Sequence, residues 1–226
     1  MKQIWKQTWR QRLAAALIQL LMVLAMAGVG IRMPVQAAEK NAVTQSGEMK
    51  VHFLDVGQGL SILAQSEGKT MIYDGGDRKT SRFVVSYLKE HGVSKIDYLI
   101  SSHYDADHMA GLIGCLNAFD VKNVISSNYA HTSKLYQSFV KAVKSDGLKM
   151  QHPAVGKTYK FGRGSFEILA PKTIEAKGSN NNSVAIKLMN GENSFVFTGD
   201  AEHESEAAMC NSSIDLSCDV LVPGHH

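Results

Sequence analysis

The heptapeptide Ser-His-Tyr-Asp-Ala-Asp-His, residues 102–108, constrains the fold and chemistry of this chain more than any other segment. Its side chains that can bind a metal are His103, Asp105, Asp107 and His108. A largely apolar run at residues 96–100, typical of a buried strand, comes shortly before it. Side chains diverge by about 100° per residue in a helix and about 180° in a strand, so only a loop can direct all four to one point. Imidazole and carboxylate groups together suit divalent cations, and the segment therefore predicts a metal site.

Further side chains that can bind a metal follow two other predicted strands. Asp200 follows the apolar run 195–197, and the two histidines His225 and His226 follow the apolar run 220–222. Each is released at the end of a strand, as the ligands in the heptapeptide are. We therefore expect Asp200 and His225 to reach the same site, with His226 as the alternative to His225.

Six segments resemble, in the same order, motifs of one branch of the metallo-β-lactamase fold. The segment 102–108 resembles the H-x-H-x-D-H signature of that fold, with Asp105 where a second His is usual. The other segments, similar to the motifs F-L-D-V-G-Q-G, I-D-G-G, N-S-[LV], F-L-L-T-G-D and G-H-H, are 51–59, 71–76, 182–186, 195–200 and 220–226. They are typical of the ComEC-like branch, named for the hydrolase domain of the DNA-uptake channel of competent bacteria. Six motifs in order are specific, and the resemblance covers roughly residues 50–226.

The resemblance implies an α+β fold, an αββα sandwich in which two mixed β-sheets are flanked by helices. Strand-like runs with helical patterns between and after them favour the same layered architecture. In the resembling proteins the G-H-H motif continues into further structure, so we expect the C-terminal part of the domain to be missing after His226. Strands are predicted at 50–56, 60–66, 69–74, 95–101, 121–125, 157–161, 165–170, 183–189, 193–198 and 218–222. Helices are predicted at 80–91, 107–118, 132–145 and 203–210.

The resemblance also implies a site for two divalent metal ions, Zn or Mn. The expected ligands are His103, Asp105, Asp107, His108, Asp200 and His225, with Asp200 as the bridge between the ions. Asp107 is also expected to orient the attacking water or to accept its proton. Asp105 replaces an imidazole, and no His occurs at 178–182, near where the third His of the first site is usual. The first site is therefore rich in oxygen ligands, which shifts its preference from zinc toward manganese or magnesium.

Four more residues are expected to support the ligands or to contact substrate, namely Asp55, Asp74, Asn182 and His226. Asp55 and Asp74 stand at strand ends before glycine-containing turns, where a purely structural role is also common. Asn182 lies in an Asn-rich turn, a composition that is equally typical of an ordinary loop.

These features predict an exported, binuclear metal-dependent hydrolase with phosphodiesterase or nuclease activity. The resemblance implies that its substrate is extracellular DNA or another phosphodiester, and it implies no protein partner. The alternatives are a hydrolase of a choline-phosphate ester of the cell wall, a lactone or a thioester, or a non-catalytic binding protein that retains the fold. The first 37 residues hold five of the 24 Lys and Arg residues and no Asp or Glu, so the remainder is slightly acidic. It therefore lacks the broad basic surface of a high-affinity nucleic-acid binder.

The N-terminal residues 1–37 have the pattern of a secretory signal peptide. A basic flank precedes the apolar run 13–31, and small residues that permit cleavage follow at 35–37. The rival interpretation is an uncleaved membrane anchor, because the run approaches the length of about 20 residues that spans a bilayer. Either way, the basic flank remains inside and the rest of the chain lies on the extracellular side of a bacterial membrane. We expect a polar linker at 38–49 and a hydrolase domain at 50–226, with the membrane as a partner only if the segment is uncleaved.

Overall fold

The structure is a computed structural model that describes residues 47–152, 154–175 and 179–225. The predicted signal peptide, most of the predicted linker and His226 lie outside these residues. Within the described ranges, no helix is both long and apolar enough to cross a membrane.

A six-stranded sheet forms the first half of the domain. In chain order its strands are β1 (Met49–Phe53), β2 (Ile62–Ser66), β3 (Lys69–Tyr73), β5 (Tyr98–Ser101), β7 (Val124–Ser126) and β8 (Met150–Gln151). They are neighbours in that same order. The pairs from β1 to β3 are antiparallel, whereas those from β3 to β8 are parallel. The sheet is therefore mixed, and its parallel strands all end at one edge.

A five-stranded sheet forms the second half. Its strands are β9 (Thr158–Phe161), β10 (Gly164–Ala170), β11 (Ala185–Asn190), β12 (Asn193–Phe197) and β13 (Val220–Val222), and β13 lies at the edge beside β12. Only the pair β12 and β13 is parallel. β11 and β12 are joined by the tight two-residue turn 191–192, where Gly191 adopts a φ of 64° that glycine accommodates readily.

In the described part of the chain, four α-helices cover the outer faces of the two sheets. They are α1 (Ser81–Glu90), α2 (Ala106–Ala118), α3 (Lys134–Ser145) and α4 (His203–Cys210). The first three bury apolar side chains such as Val84, Leu112 and Phe139 against Leu63 and Leu99 of the six-stranded sheet. The fourth packs on the outer face of the five-stranded sheet.

A second apolar core lies between the two sheets. Tyr73 and Ile100 of the six-stranded sheet and Phe166, Ile186 and Phe197 of the five-stranded sheet are all fully buried there. The layer order is therefore helix, sheet, sheet, helix, and the predicted αββα sandwich is confirmed.

The structure corrects the predicted elements at two strands. The strand predicted at 95–101 is interrupted at Asp97, between β4 (Lys95–Ile96) and β5. The buried Asp97 carboxylate there accepts hydrogen bonds from the Thr70 backbone and from Lys69. The strand predicted at 121–125 is likewise divided into β6 (Asp120–Val121) and β7. In both cases the chain passes from a separate two-stranded sheet of β4 and β6 into the main sheet, and a change of pairing partner leaves no sign in the apolar pattern.

Candidate metal centre

The ends of four strands from both sheets bring the candidate residues together. Asp74 follows β3 and His103 follows β5 by two residues, while Asp200 follows β12 and His225 follows β13. β3 and β5 are parallel to each other, and so are β12 and β13. The carboxyl ends of each pair therefore point to one edge of their sheet. Ligand sites in open sheets form where carboxyl ends of parallel strands meet, and here two sheets contribute to the same place.

Three of the predicted ligands meet at the centre of this edge. His103, His108 and Asp200 each offer one ligand atom, and these atoms lie within 4.8 Å of one another. Nε2 of His108 is 3.0 Å from Oδ1 of Asp200, and Nε2 of His103 is 3.8 Å from Oδ2 of the same carboxylate. All three residues are buried, with exposed fractions of 0%, 1% and 4%. Two imidazole nitrogens and a carboxylate form a donor set that suits zinc or manganese.

A buried hydrogen-bond network fixes which nitrogen each histidine presents. The Asp74 carboxylate is fully buried and accepts from Nδ1 of His108 at 2.9 Å. It also accepts from the Ser102 backbone N–H and hydroxyl, at 2.8 and 2.7 Å. Because the Ser102 hydroxyl spends its one proton on Asp74, it accepts from Nδ1 of His103 at 2.9 Å. Both rings thus donate from Nδ1 and turn Nε2 toward Asp200, the arrangement by which outer partners orient metal-binding histidines.

The chemistry around Nε2 of His103 fits a cation. This buried atom has no hydrogen-bond partner among the described residues. Its neighbours are oxygens of Asp105 and Asp200, at 3.7 and 3.8 Å, and ionised carboxylates have no proton to give. The Asp105 and Asp200 carboxylates both approach this nitrogen, and they repel each other unless a positive charge lies between them.

The charge on His108 supplies part of that positive charge in the metal-free protein. Burial lowers the pKa of His108, but the hydrogen bonds and charges of Asp200 and Asp74 outweigh burial and raise it to about 10. The ring is then an imidazolium that donates from Nδ1 to Asp74, with Nε2 paired to Oδ1 of Asp200 at 3.0 Å. A metal ion at Nε2 would have to displace one of these protons.

Asp105 lies at the margin of the site. Asp105 is the N-cap of α2, and its side chain is 42% exposed. The interaction with His103 is the main cause that lowers the pKa of Asp105 to about 2, so the carboxylate is ionised at neutral pH. Burial acts in the opposite direction, and the Ser179 hydroxyl adds to the lowering.

Asp107 lies in the first turn of α2, outside the group of three ligands. Its half-buried carboxylate accepts from the Gln58 amide at 3.5 Å. Its backbone carbonyl accepts from Leu60, and the loop of Gly59 packs against it so closely that a Cβ on Gly59 would lie 2.0 Å from that oxygen. The Gly-Gln-Gly loop at residues 57–59, part of the motif at 51–59, therefore borders the candidate site.

His225 lies beside the acidic side chain of Glu202, the N-cap residue of α4. Nδ1 of His225 lies 3.2 Å from Oε1 of Glu202, just before α4, and its backbone N–H donates to the carbonyl of Gly199 at 3.3 Å. The imidazole is 55% exposed. The structure thus places His225 beside the Asp200 turn, but outside the group of three.

The residues predicted to support the site fall in different places. Asp74 is in the centre of the network, whereas Asp55 is exposed and accepts from the backbone N–H of Gly57, as in an ordinary Asx turn. Asn182 is buried, and its amide bonds to the backbone N–H and carbonyl of Glu175. These bonds tie Asn182 to Glu175 ahead of β11. His226 lies outside the described residues.

Sequence reasoning missed two serines that hold the ligands. Ser102 links His103 to Asp74, which bonds His108 directly, and Ser183 accepts the backbone N–H of Asp200 at 3.1 Å. Gly199, at a φ of 59°, lets this turn approach Ser102, since a Cβ there would lie 2.6 Å from Cβ of Ser102. Both serines stand inside the motifs singled out above, directly beside His103 and Asn182. Their position in the motifs was the available signal.

Comparisons with known proteins agree with this architecture. Residues 54–225 match the family model of the metallo-beta-lactamase superfamily. The crystal structure of the metallo-beta-lactamase SMB-1 bound to 2-mercaptoethanesulfonate superposes with a TM-score of 0.52 at 17% identity, over 78% of this chain and 76% of that one. The Rm3 metallo-beta-lactamase gives 0.51 at 15% identity, over 80% and 76%. At these identities the likeness establishes the fold.

Curated relatives define the branch. Recombination protein 2 of Haemophilus influenzae is 30% identical over 78% of this chain and 21% of its own length. ComE operon protein 3 of Bacillus subtilis is 25% identical over 80% of this chain and 26% of its length. Competence protein ComA of Neisseria gonorrhoeae is 26% identical, over 79% and 24%. The chain thus spans about a quarter or less of these relatives. The predicted resemblance is confirmed: the chain belongs to the metallo-β-lactamase superfamily, in its ComEC-like branch.

Proposed function

We propose that this protein is an exported, binuclear metal-dependent hydrolase that cleaves phosphodiesters, with extracellular DNA as the first candidate substrate. The superfamily is one of metal-dependent hydrolases in general, and the relatives carry names of competence and recombination proteins. The observation that carries the proposal is the meeting of His103, His108 and Asp200 in one buried donor set.

Two divalent cations, Zn or Mn, are the proposed cofactors. His103, Asp105 and Asp200 would hold one ion, and Asp107, His108, Asp200 and His225 would hold the other. When bound, such a pair supplies an activated water and stabilises the charge that develops on the substrate oxygens. The Asp105 carboxylate in place of an imidazole favours manganese at the first position.

The residues of the chain would divide the remaining work between them. Asp74 and Ser102 keep both imidazoles in the orientation that presents Nε2, which avoids reorganisation during the reaction. Asp107, half exposed at the mouth of the site, would orient the attacking water and accept its proton. The turn at Gly59 would confine the substrate beside Asp107, because its backbone contacts that residue directly.

The charge of the site makes this activity dependent on added metal. Asp105 and Asp200 face the same space, and a phosphodiester is itself an anion. Without cations the carboxylates would repel the substrate, whereas bound cations would reverse the local potential. A phosphodiesterase of this kind should therefore lose all turnover in a chelator and regain it with one preferred ion.

The test is a substrate screen with the full chain and with a matched variant. Bis-(p-nitrophenyl) phosphate, double- and single-stranded DNA, a phosphocholine ester and a lactone are offered with Mn²⁺ or Zn²⁺. The proposal expects cleavage of the first three, loss of cleavage in EDTA, and none by Asp200→Asn. Turnover of the lactone or phosphocholine ester alone would replace the phosphodiester assignment, and no turnover with metal bound would favour a binding protein.

A smaller non-nucleic ester is the second candidate. It is favoured by the slightly acidic balance of the chain after residue 37, since a strong DNA binder usually carries a basic surface. The salt dependence of cleavage separates the two cases. Neutralisation of several DNA phosphates gives a steep loss of affinity with salt, whereas a small ester gives a shallow one.

Export is a proposal that rests on residues 1–37. Secretion with removal of this segment would leave Ala38 as the first residue of the mature protein. N-terminal sequencing of the extracellular product tests this, and a membrane-bound product with an intact N-terminus would support the anchor instead.

A further inference from the structure

A tyrosine outside the predicted ligand set, Tyr129, contacts the backbone of the loop that carries the expected ligands His103 and Asp105. Tyr129 lies in the loop after β7, another strand that ends at the edge of the site. Its hydroxyl accepts the backbone N–H of Tyr104 at 3.0 Å. Tyr104 is the residue between His103 and Asp105, so this bond fixes the peptide that separates two expected ligands.

The same hydroxyl also contacts the residue that precedes the Asn-rich turn before β11. It lies 2.5 Å from the hydroxyl of Ser179, which precedes the Asn-rich turn. Ser179 in turn interacts with the Asp105 carboxylate and contributes to its lowered pKa. The Tyr129 hydroxyl accepts from Tyr104 and can donate its own proton to Ser179, which leaves the Ser179 proton for the Asp105 carboxylate. The directions are consistent, and each hydroxyl donates once.

Asp105 and Ser179 both lie in segments where imidazoles of the first metal position are missing. Asp105 stands where a second His is usual, and Ser179 stands in the segment without a third. We infer that Tyr129 is a positioning residue: its hydroxyl holds the backbone between His103 and Asp105, ties it to Ser179, and so keeps the Asp105 carboxylate directed at the metal position. The inference rests on the metal site of the proposed function and assigns Tyr129 no contact with substrate.

The neighbouring Tyr136 provides a matched control for packing. Its ring lies 4.6 Å from that of Tyr104, the same separation as that of Tyr129. Its hydroxyl interacts with the Tyr104 side chain, whereas the hydroxyl of Tyr129 holds the Tyr104 backbone. Phenylalanine at either position keeps the ring and removes one hydroxyl. Only the change at Tyr129 should alter the position of Asp105.

The experiment measures Co²⁺ binding and the visible spectrum of the bound ion in the full chain, with no substrate present. Tyr129→Phe and Ser179→Ala should each weaken Co²⁺ binding by about 10–100-fold and alter the absorption bands, as is typical when outer partners of ligands are removed. Tyr136→Phe should remain within about twofold of the parent, and Ser179→Thr should restore binding because it keeps the hydroxyl.

Two results would overturn the inference. One is unchanged Co²⁺ affinity and spectrum in both Tyr129→Phe and Ser179→Ala; the other is an equal change in Tyr136→Phe, which would reduce Tyr129 to packing. Neither depends on catalysis, so the outcome is separate from that of the proposed function. A parent that binds Co²⁺ but cleaves no phosphodiester would refute the proposed function and leave this inference open to the same measurements.

Discussion

The predicted ligands fall into two groups that differ in burial and support. The inner ligands, His103, His108 and Asp200, are at most 4% exposed. The outer ligands are Asp105, Asp107 and His225. The side chains of Asp105 and His225 are 42% and 55% exposed, and Asp107 is half buried.

The two groups also differ in what holds them. The inner ligands are fixed by buried partners, Asp74, Ser102 and Ser183, which must be satisfied for the fold to be stable. The outer Asp107 and His225 contact side chains at the surface, where such contacts contribute little energy. If the proposed ions bind, this difference implies that the inner group is already in place to receive them, whereas the outer group can adjust.

Removal of an inner ligand should have the largest effect. Asp200→Asn takes away the carboxylate that faces both imidazoles, so metal binding and every metal-dependent activity should be lost together. We expect hydrolysis to fall by more than about 10⁴-fold, beyond the usual cost of a single proton-transfer group. Metal analysis after gel filtration and a circular dichroism spectrum of the folded variant check this. A variant that keeps both metal and activity would erase the distinction between the two groups.

Removal of an outer carboxylate should affect turnover without affecting the fold. Asp107→Ala should lower kcat by about 10²–10⁴-fold, because it removes the proposed proton acceptor. Its half-exposed position should keep the change in unfolding free energy within about 0.5 kcal/mol. Gln58→Ala, which removes one hydrogen-bond partner of Asp107 and leaves its carboxylate, should lower kcat only a few-fold. Full hydrolysis by Asp107→Ala would exclude Asp107 from the mechanism.

The scaffold behind the inner ligands should affect metal binding and stability together. Asp74→Asn cannot accept all three hydrogen bonds, and each unsatisfied buried group costs about 1–3 kcal/mol. Metal affinity should fall by about 10–100-fold. Asp55→Asn is the matched control, since this exposed aspartate also follows the end of a strand, and both quantities should stay unchanged. Equal effects of the two substitutions in calorimetry and thermal unfolding would contradict the account.

The pH dependence of the metal-free protein should report on the inner group. The pKa of His108 is raised in the folded state to about 10 from an unfolded value of 6.5, so its stabilising contribution is complete below 6.5 and lost as pH rises through 10. Unfolding in denaturant with EDTA should therefore show a decline between these values that is absent in His108→Gln. His225→Gln, at an exposed outer ligand, should retain it. Identical pH profiles for the parent and His108→Gln would contradict the pairing with Asp74 and Asp200.

The sequence predicted the layers of the fold and the cluster of ligands because both depend on local patterns. Apolar runs and the heptapeptide at 102–108 are legible without tertiary information. The partners of the ligands are not, since Asp74 and Ser102 are 28 residues apart and Tyr129 and Ser179 are 50 apart. Asp97 likewise interrupts a strand where its carboxylate accepts a hydrogen bond from the backbone of Thr70 in β3. Such pairings become visible only when the sheets are assembled.

The central claim is that the inner ligands form a preformed cation site. Anomalous diffraction from crystals of the parent grown with Mn²⁺ or Zn²⁺ tests it most directly. The account predicts a peak at about 2.0–2.2 Å from Nε2 of His103 or His108 and from an oxygen of Asp200, with the inner side chains unmoved. Anomalous density that is absent from this position, or present only at the outer ligands, would contradict the claim.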